Sequence, residues 1–342
     1  MYRISIVLLF ISVALSSCSR SEDNATDALK PHITIVTSVD GLGDMGYNDL
    51  IMNGIMHFYE ANDVVMNLIQ PNSIEGIGQA LYEWISETKE KGKSLLVLEG
   101  NECEGLVATK EIKLSANQQI LLFESKNKNL PEGVATFNIN RYGASYLAGC
   151  MAKEHCSATI IAARPRDSTI EESIHGFADG YETHGNGSVE VVYLSENDEG
   201  FAMADSAYRV ASKIYNAFIF PLAGGSNNGI YKYSRESSFH LPLIVGMDVD
   251  CAIYSDRIPF SMVVHIDKVV EQYLSDWVNN LPMPKHRTFG LKSGIIDIAL
   301  SKVFYQNLDV WEDYYADDDY WINAYQKHKE EAINKEEEYE GN

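Results

Sequence analysis

Eight residues carry the chemistry legible in this chain: Asp44, Tyr47, Asn48, Glu99, Asn101, Gly224, Gly225 and Asp248. Each stands at or just past the end of a short apolar run: Ile33 to Val36, Ser94 to Glu99, Ala217 to Leu222 and Leu243 to Met247. Such runs read as strands buried in a parallel sheet. Loops at the carboxyl ends of those strands are where open α/β sheets hold ligands. Carboxylates accept hydrogen bonds, so Asp44, Glu99 and Asp248 suit a small molecule rich in O–H or N–H donors. Gly224 and Gly225 let backbone amides come close, because no Cβ intervenes. Asp and Asn also favour turns and helix caps, and that structural role stays open at each of these positions.

Other chemistries fit less well. Asp44 and Asp248 could form an acid/base pair across a cleft. No HExxH, GxSxG or clustered histidines accompany them, so catalysis is the weaker reading. The loop GLGDMGYND contains neither GxGxxG nor GxxxxGK[ST], and its carboxylates would repel phosphate. Cys103, Cys150, Cys156 and Cys251 show no CxxC pair and no metal spacing, so no metal or cofactor is expected. Buried thiols are the expectation, and a Cys150–Cys156 disulfide stays open in an oxidising compartment.

The elements that must position these residues alternate. Strand-like runs at Val64 to Ile69, Ile120 to Phe123, Val134 to Ile139, Thr159 to Ala163 and Val189 to Leu194 join the four above. Helical periodicity separates them, as at Ile77 to Thr88, Tyr142 to Lys153, Ala202 to Tyr215 and Asp267 to Asn279. Alternation of this kind argues for parallel sheets with crossover helices. Segments Phe260 to Ile266 and Arg287 to Ala299 recross between two such sets. The expected architecture is α/β, with two Rossmann-like lobes joined by a three-strand hinge, the type I periplasmic binding-protein plan. Residues 31–138 plus 267–279 form the expected first lobe, and 139–261 plus 287–300 the second. Residues 301–342 form an acidic, aromatic-rich extension, expected as one or two helices on the second lobe and a solvated end.

The 342 residues hold 49 acidic against 27 basic side chains, a formal net charge of −22. Nucleic acid is excluded as a partner, since phosphate contacts need a basic face. Arg3 precedes an apolar run from Ile4 to Leu15, too short to span a membrane but suited to a signal-peptide core. Leu15-Ser16-Ser17-Cys18 resembles a bacterial lipobox, in which Cys18 is acylated and becomes the mature terminus. Residues 1–17 are thus an expected leader and 18–30 a flexible tether.

Five segments together resemble one family: GLGDMGYND, PEGVATFNINRYGASYLAGCMA, the glycine-rich turn AGGSNNG, VGMDVDC and GLKSGIIDIA. In this order they are similar to the basic membrane lipoprotein family, the purine-nucleoside-receptor-like substrate-binding proteins of ABC transporters. The resemblance spans about 33–299. It implies a monomeric, lipid-anchored protein of the bacterial envelope, facing periplasm or exterior, that hands a nucleoside to a permease. Asp44, Tyr47 and Asn48 would hold the ligand from the first lobe. Asp248 would take a ribose diol, and Glu99 or Asn101 the edge of a purine. A sensory lipoprotein of the same fold, uncoupled from a permease, is the alternative. Two positions depart from the family. Its aromatic four residues after the motif Asn is Met52 here, and its crossing-strand Lys is Val264.

Overall fold

The computed structural model describes residues 30–39, 41–88, 92–109, 112–152, 157–184, 187–237, 242–306 and 320–340. The expected leader, Cys18 and Cys156 lie outside them. The first lobe begins with β1 (His32–Val36), α1 (Tyr47–Ala61), β2 (Val65–Ile69), α2 (Ile74–Glu87), β3 (Ser94–Leu98), β4 (Gln118–Phe123) and β5 (Val134–Ile139). The second follows with α3 (Tyr142–Ala152), β6 (Ser157–Ala162), α4 (Ser168–His184), β7 (Ser188–Tyr193), α5 (Ala204–Ala211), β8 (Phe218–Leu222) and α6 (Asn227–Glu236). Then come β9 (Leu243–Ile244), β10 (Gly246–Asp248), β11 (Phe260–Val264), α7 (Ile266–Val278), β12 (His286–Phe289), β13 (Ile296–Leu300), α8 (Lys302–Gln306) and α9 (Tyr320–Glu340).

Three sheets result. The first lobe has the parallel order β12-β5-β4-β3-β1-β2, and the second has β7-β6-β8-β9, also parallel. Between them β10, β11 and β13 form a small mixed sheet. Strands β3 and β5 are buried along their whole length, which is why they read as unbroken apolar runs. Helix α3 is buried at all 11 positions, wedged between α4 and α9. The expected α/β, two-lobed type I architecture is what the chain adopts.

Several expected boundaries differ. Ala202 to Tyr215 is not one helix: a 3-10 turn, Asp198–Ala202, precedes α5. Met203 breaks it because its N–H donates to the Ser226 hydroxyl at 2.6 Å, and that hydroxyl donates to Gly200 O at 2.7 Å. Leu243 to Met247 is not one strand. It leaves the second-lobe sheet after Ile244 and joins the hinge sheet at Gly246. Gly246 sits so close to β11 that a Cβ would stand 2.1 Å from the Ser261 hydroxyl, so a side chain would block the switch. Segment 287–300 divides between lobes. Strand β12 extends the first-lobe sheet beside β5, and only β13 lies with β11.

The carboxyl end is solvated only in part over its described length: Glu337, Glu338 and Tyr339 are exposed, but Glu336 is not. Helix α9 runs to Glu340 against α3. Glu336 is 4% exposed, and its carboxylate accepts Gly143 N–H at 3.1 Å and Leu291 N–H at 2.9 Å. Two buried amides thus hold an acidic run that would otherwise be left in water. Trp321, at the other end of α9, is packed among Phe218, Phe260 and Phe304.

Candidate functional site

A cavity of about 460 Å³ lies between the lobes, within the range of small-molecule sites. All eight residues singled out from the sequence line it. The lobes touch around it: Asn228 Nδ2 donates to Asp44 O at 3.3 Å, from α6 to the loop before α1.

Asp44 does what the structural reading of an Asp in a loop predicts. Its carboxylate accepts N–H bonds from Gly46 and Asn48, each at 2.9 Å, and from Asp49 at 3.3 Å. That satisfies the open amides at the start of α1. Asp49 returns the arrangement, accepting Gly43 and Met45 N–H at 2.8 and 2.9 Å. Asp44 is therefore a cap that also faces the cavity. A carboxylate committed to three amides is a poor acid/base partner for Asp248.

Tyr47 is fixed by a buried ionic group. Its hydroxyl donates to Glu124, and the Arg141 guanidinium lies 5.3 Å from its ring centroid. Arg141 also holds Glu124 through both terminal nitrogens, at 3.0 and 3.3 Å. Burial opposes the charge on Arg141, yet Glu124 outweighs it and holds the guanidinium protonated. Burial, reinforced by Glu124, pushes the Tyr47 phenol well above its ordinary range.

Asn101 opens a 3-10 turn beside Glu99. Glu99 is 3% exposed, and among the described residues neither carboxyl oxygen has a hydrogen-bond partner. Burial, then the nearby Glu102, pushes its carboxyl up to about 8. Asp248 lies at the end of β10 with φ of +66°, a left-handed conformation that Asp tolerates better than most residues. Burial first, and then Asp44 from the opposite lobe, push it up to about 7, against the pull of Arg141.

Gly224 and Gly225 line the cavity and also make room for a neighbour. A Cβ on Gly224 would stand 3.1 Å from the Phe201 ring, and one on Gly225 would stand 3.2 Å from Phe201 O. Gly224 also has φ of +51°. The glycines let Phe201 reach the cavity wall, where Arg164 lies 5.6 Å from its ring centroid.

Phe201, Arg141, Glu124, Arg164 and Asp167 line the cavity without having been singled out. Arg141 alone left a signal, a cation two residues past the apolar run VATFNI. Of the two positions that depart from the family resemblance, Met52 packs on the core, and Val264 is buried within β11. Neither lines the cavity. Six carboxyls but only two cations line it, and the cations are matched, Arg141 by Glu124 and Arg164 by Asp167. Carboxyl groups thus outnumber cations at this cavity, and both cations are already paired.

Known proteins share this fold. The sequence model of the Bmp family, described as PnrA-like ABC transporter substrate-binding proteins, matches residues 33–318. The CD4+ T-cell-stimulating antigen of Listeria innocua is 22% identical over 260 residues, covering 71% of each chain. Among solved structures, an ABC transporter solute-binding protein from Aeropyrum pernix superposes with a TM-score of 0.67 at 15% identity, over 90% of this chain and 89% of that one. GanP, a glucose-galactose binding protein from Geobacillus stearothermophilus, superposes at 0.58 with 14% identity, over 80% and 98%. The two structures share the fold, and the family match carries further: this chain belongs to the PnrA-like family of ABC transporter substrate-binding proteins.

Proposed function

We propose that the chain captures a nucleoside between its lobes and delivers it to an ABC permease. One observation carries the ligand reading: Tyr47 from the first lobe and Phe201 from the second line the same carboxyl-rich cavity as Asp248. Two rings suit a flat base, and a carboxylate suits a sugar diol. Asp44 and Asn48 would complete the first-lobe wall, with Glu99 and Asn101 at the base edge and Gly224 and Gly225 behind Phe201. Tyr47 takes the place of the missing aromatic at Met52 because Arg141 and Glu124 already hold its ring in position. Closure would act by hinge motion of a monomer.

A thermal-shift panel tests the ligand. A compound at 100 times its Kd stabilises the native state by about 2.7 kcal/mol. Nucleosides are expected to raise the melting temperature, and nucleoside monophosphates to do so far less, since phosphate meets unmatched carboxyls. A shift with free sugars or amino acids but none with nucleosides refutes the assignment.

We also propose that Cys18 carries a lipid anchor, which places the protein in the bacterial envelope facing periplasm or exterior. No helix among the described residues is long and apolar enough to cross a membrane. Cys18→Ser is expected to move the protein from the membrane fraction to the soluble fraction with ligand affinity unchanged. Continued sedimentation with membranes would show that something else holds it there.

A further inference from the structure

Asp248 occupies an unusual position in the closed protein. It ends β10, in the hinge sheet, and its carboxyl reaches across to the first lobe. Its Oδ2 lies 3.0 Å from where a Cβ on Gly46 would stand, so a side chain there would press against it. The same closure sets Asp44, on the loop before α1, against Gly225 and Asn228 of the second lobe. Two half-buried carboxyls from opposite lobes are thereby brought to one cavity.

The two are not equivalent. Asp44 is saturated by three backbone amides. Among the described residues, no N–H or O–H is bonded to the carboxyl of Asp248. The groups facing Asp248 are Asp44 from the first lobe, Arg141 from the crossing after β5, and Tyr231 and Cys251 from its own lobe. Tyr231 and Cys251 are neutral near pH 7, because burial raises the phenol well above its ordinary range and the thiol to about 11. Arg141 is already bound to Glu124, so its charge offsets that of Asp248 only in part. Opening the lobes would remove Asp44 and return water to Asp248, and both would restore its ordinary acidity.

We propose that Asp248 and Asp44 form a carboxyl latch across the cleft, such that the empty protein closes when a proton sits on Asp248 and a ligand O–H or N–H takes that proton's place. The second half of this rests on the reading that the ligand occupies the cleft, and the first half does not. The direction follows from linkage. The closed form holds a proton up to about pH 7, and an open form with ordinary acidity, near 3.8, releases it much earlier. Closure of the empty protein therefore weakens as pH rises across that window, by up to about tenfold per pH unit, and levels off above it. At neutral pH the latch keeps the empty protein open, and a donor-bearing ligand closes it.

Small-angle X-ray scattering of the ligand-free full chain from pH 5 to pH 8.5 tests the latch. The wild type is expected to be compact at pH 5 and to expand toward pH 8.5. Asp248→Asn should stay compact throughout, because asparagine tolerates the left-handed backbone and carries no charge. Asp44→Asn, a second variant that keeps a capping oxygen, should shift the same way by a smaller amount. A wild-type radius of gyration independent of pH overturns the proposal, as does an Asp248→Asn variant that expands in parallel with the wild type. Neither result touches the nucleoside reading, which stands or falls on the ligand panel.

Discussion

Asp248→Asn is expected to weaken nucleoside binding by about tenfold to more than a hundredfold, while raising the melting temperature of the unliganded protein at pH 7.5. The first effect follows from losing a charged acceptor in a desolvated cavity. Hydrogen bonds to ionised groups are worth about 1.5–3 kcal/mol, which converts to that range of affinity. The second follows from the folded environment of the carboxyl, which holds its acidity up at about 7. Ionising it at pH 7.5 costs the closed form free energy that an amide does not, so only the variant keeps the closed form's contacts in the unliganded protein. The opposite signs are the point of the experiment. A residue that served only to make the turn after β10 would lower the melting temperature and leave affinity alone. Asp44→Ala provides the contrast. Removing a cap at the start of α1 costs about 0.5–2 kcal/mol, so stability and affinity should fall together. Calorimetric titration beside unliganded melting curves reads both quantities. An Asp248→Asn variant with wild-type affinity would remove Asp248 from the ligand site.

Glu99→Gln is expected to flatten the dependence of stability on pH. Glu99 holds its proton in the folded protein up to about 8, whereas the unfolded chain releases it near 4.5. The native state therefore binds more protons across that window, and its stability falls as pH rises through it. Each unit of such a difference is worth about 1.36 kcal/mol, so the full loss by pH 8.5 is about 5 kcal/mol. Below pH 4.5 both states are protonated and the contribution vanishes. Glutamine keeps the shape and removes the titration. Melting curves of wild type and variant should lie close together at pH 5 and separate at pH 8.5, with the variant more stable. Curves that stay parallel at every pH would mean that Glu99 is not a buried acid. The expected cost also gives Glu99 a functional sense. A carboxyl kept without a protein partner is tolerated at a ligand site far more readily than in a core, where natural proteins pair such groups.

The sequence by itself determined the alternation of strands and helices, and with it the two-lobed plan. Apolar runs such as VATFNI and SLLVL name buried strands because each residue's burial follows from its own type and spacing. It also determined that such residues would gather at one edge of each lobe's sheet, and the two lobes face each other along those edges. Asp44, Tyr47, Asn48, Glu99, Asn101, Gly224, Gly225 and Asp248 reach one cavity for that reason.

What each of them does there was decided only by the fold. Asp44 and Asp248 are the same residue type in similar turns, yet one is saturated by amides and the other is left with none. Phe201 and Arg141 are single residues in segments without periodicity, and only the approach of distant elements brings them to the cavity wall. Strand β12 reads like any short polar-edged segment, and pairing with β5, about 150 residues away, assigns it to the first lobe. Glu336 looks like part of a solvated acidic run until Gly143 and Leu291 present their amides. Local pattern reports what a residue prefers against water. Partners far along the chain fix its charge, its hydrogen bonds and therefore its role, because those depend on distances that only the folded chain sets.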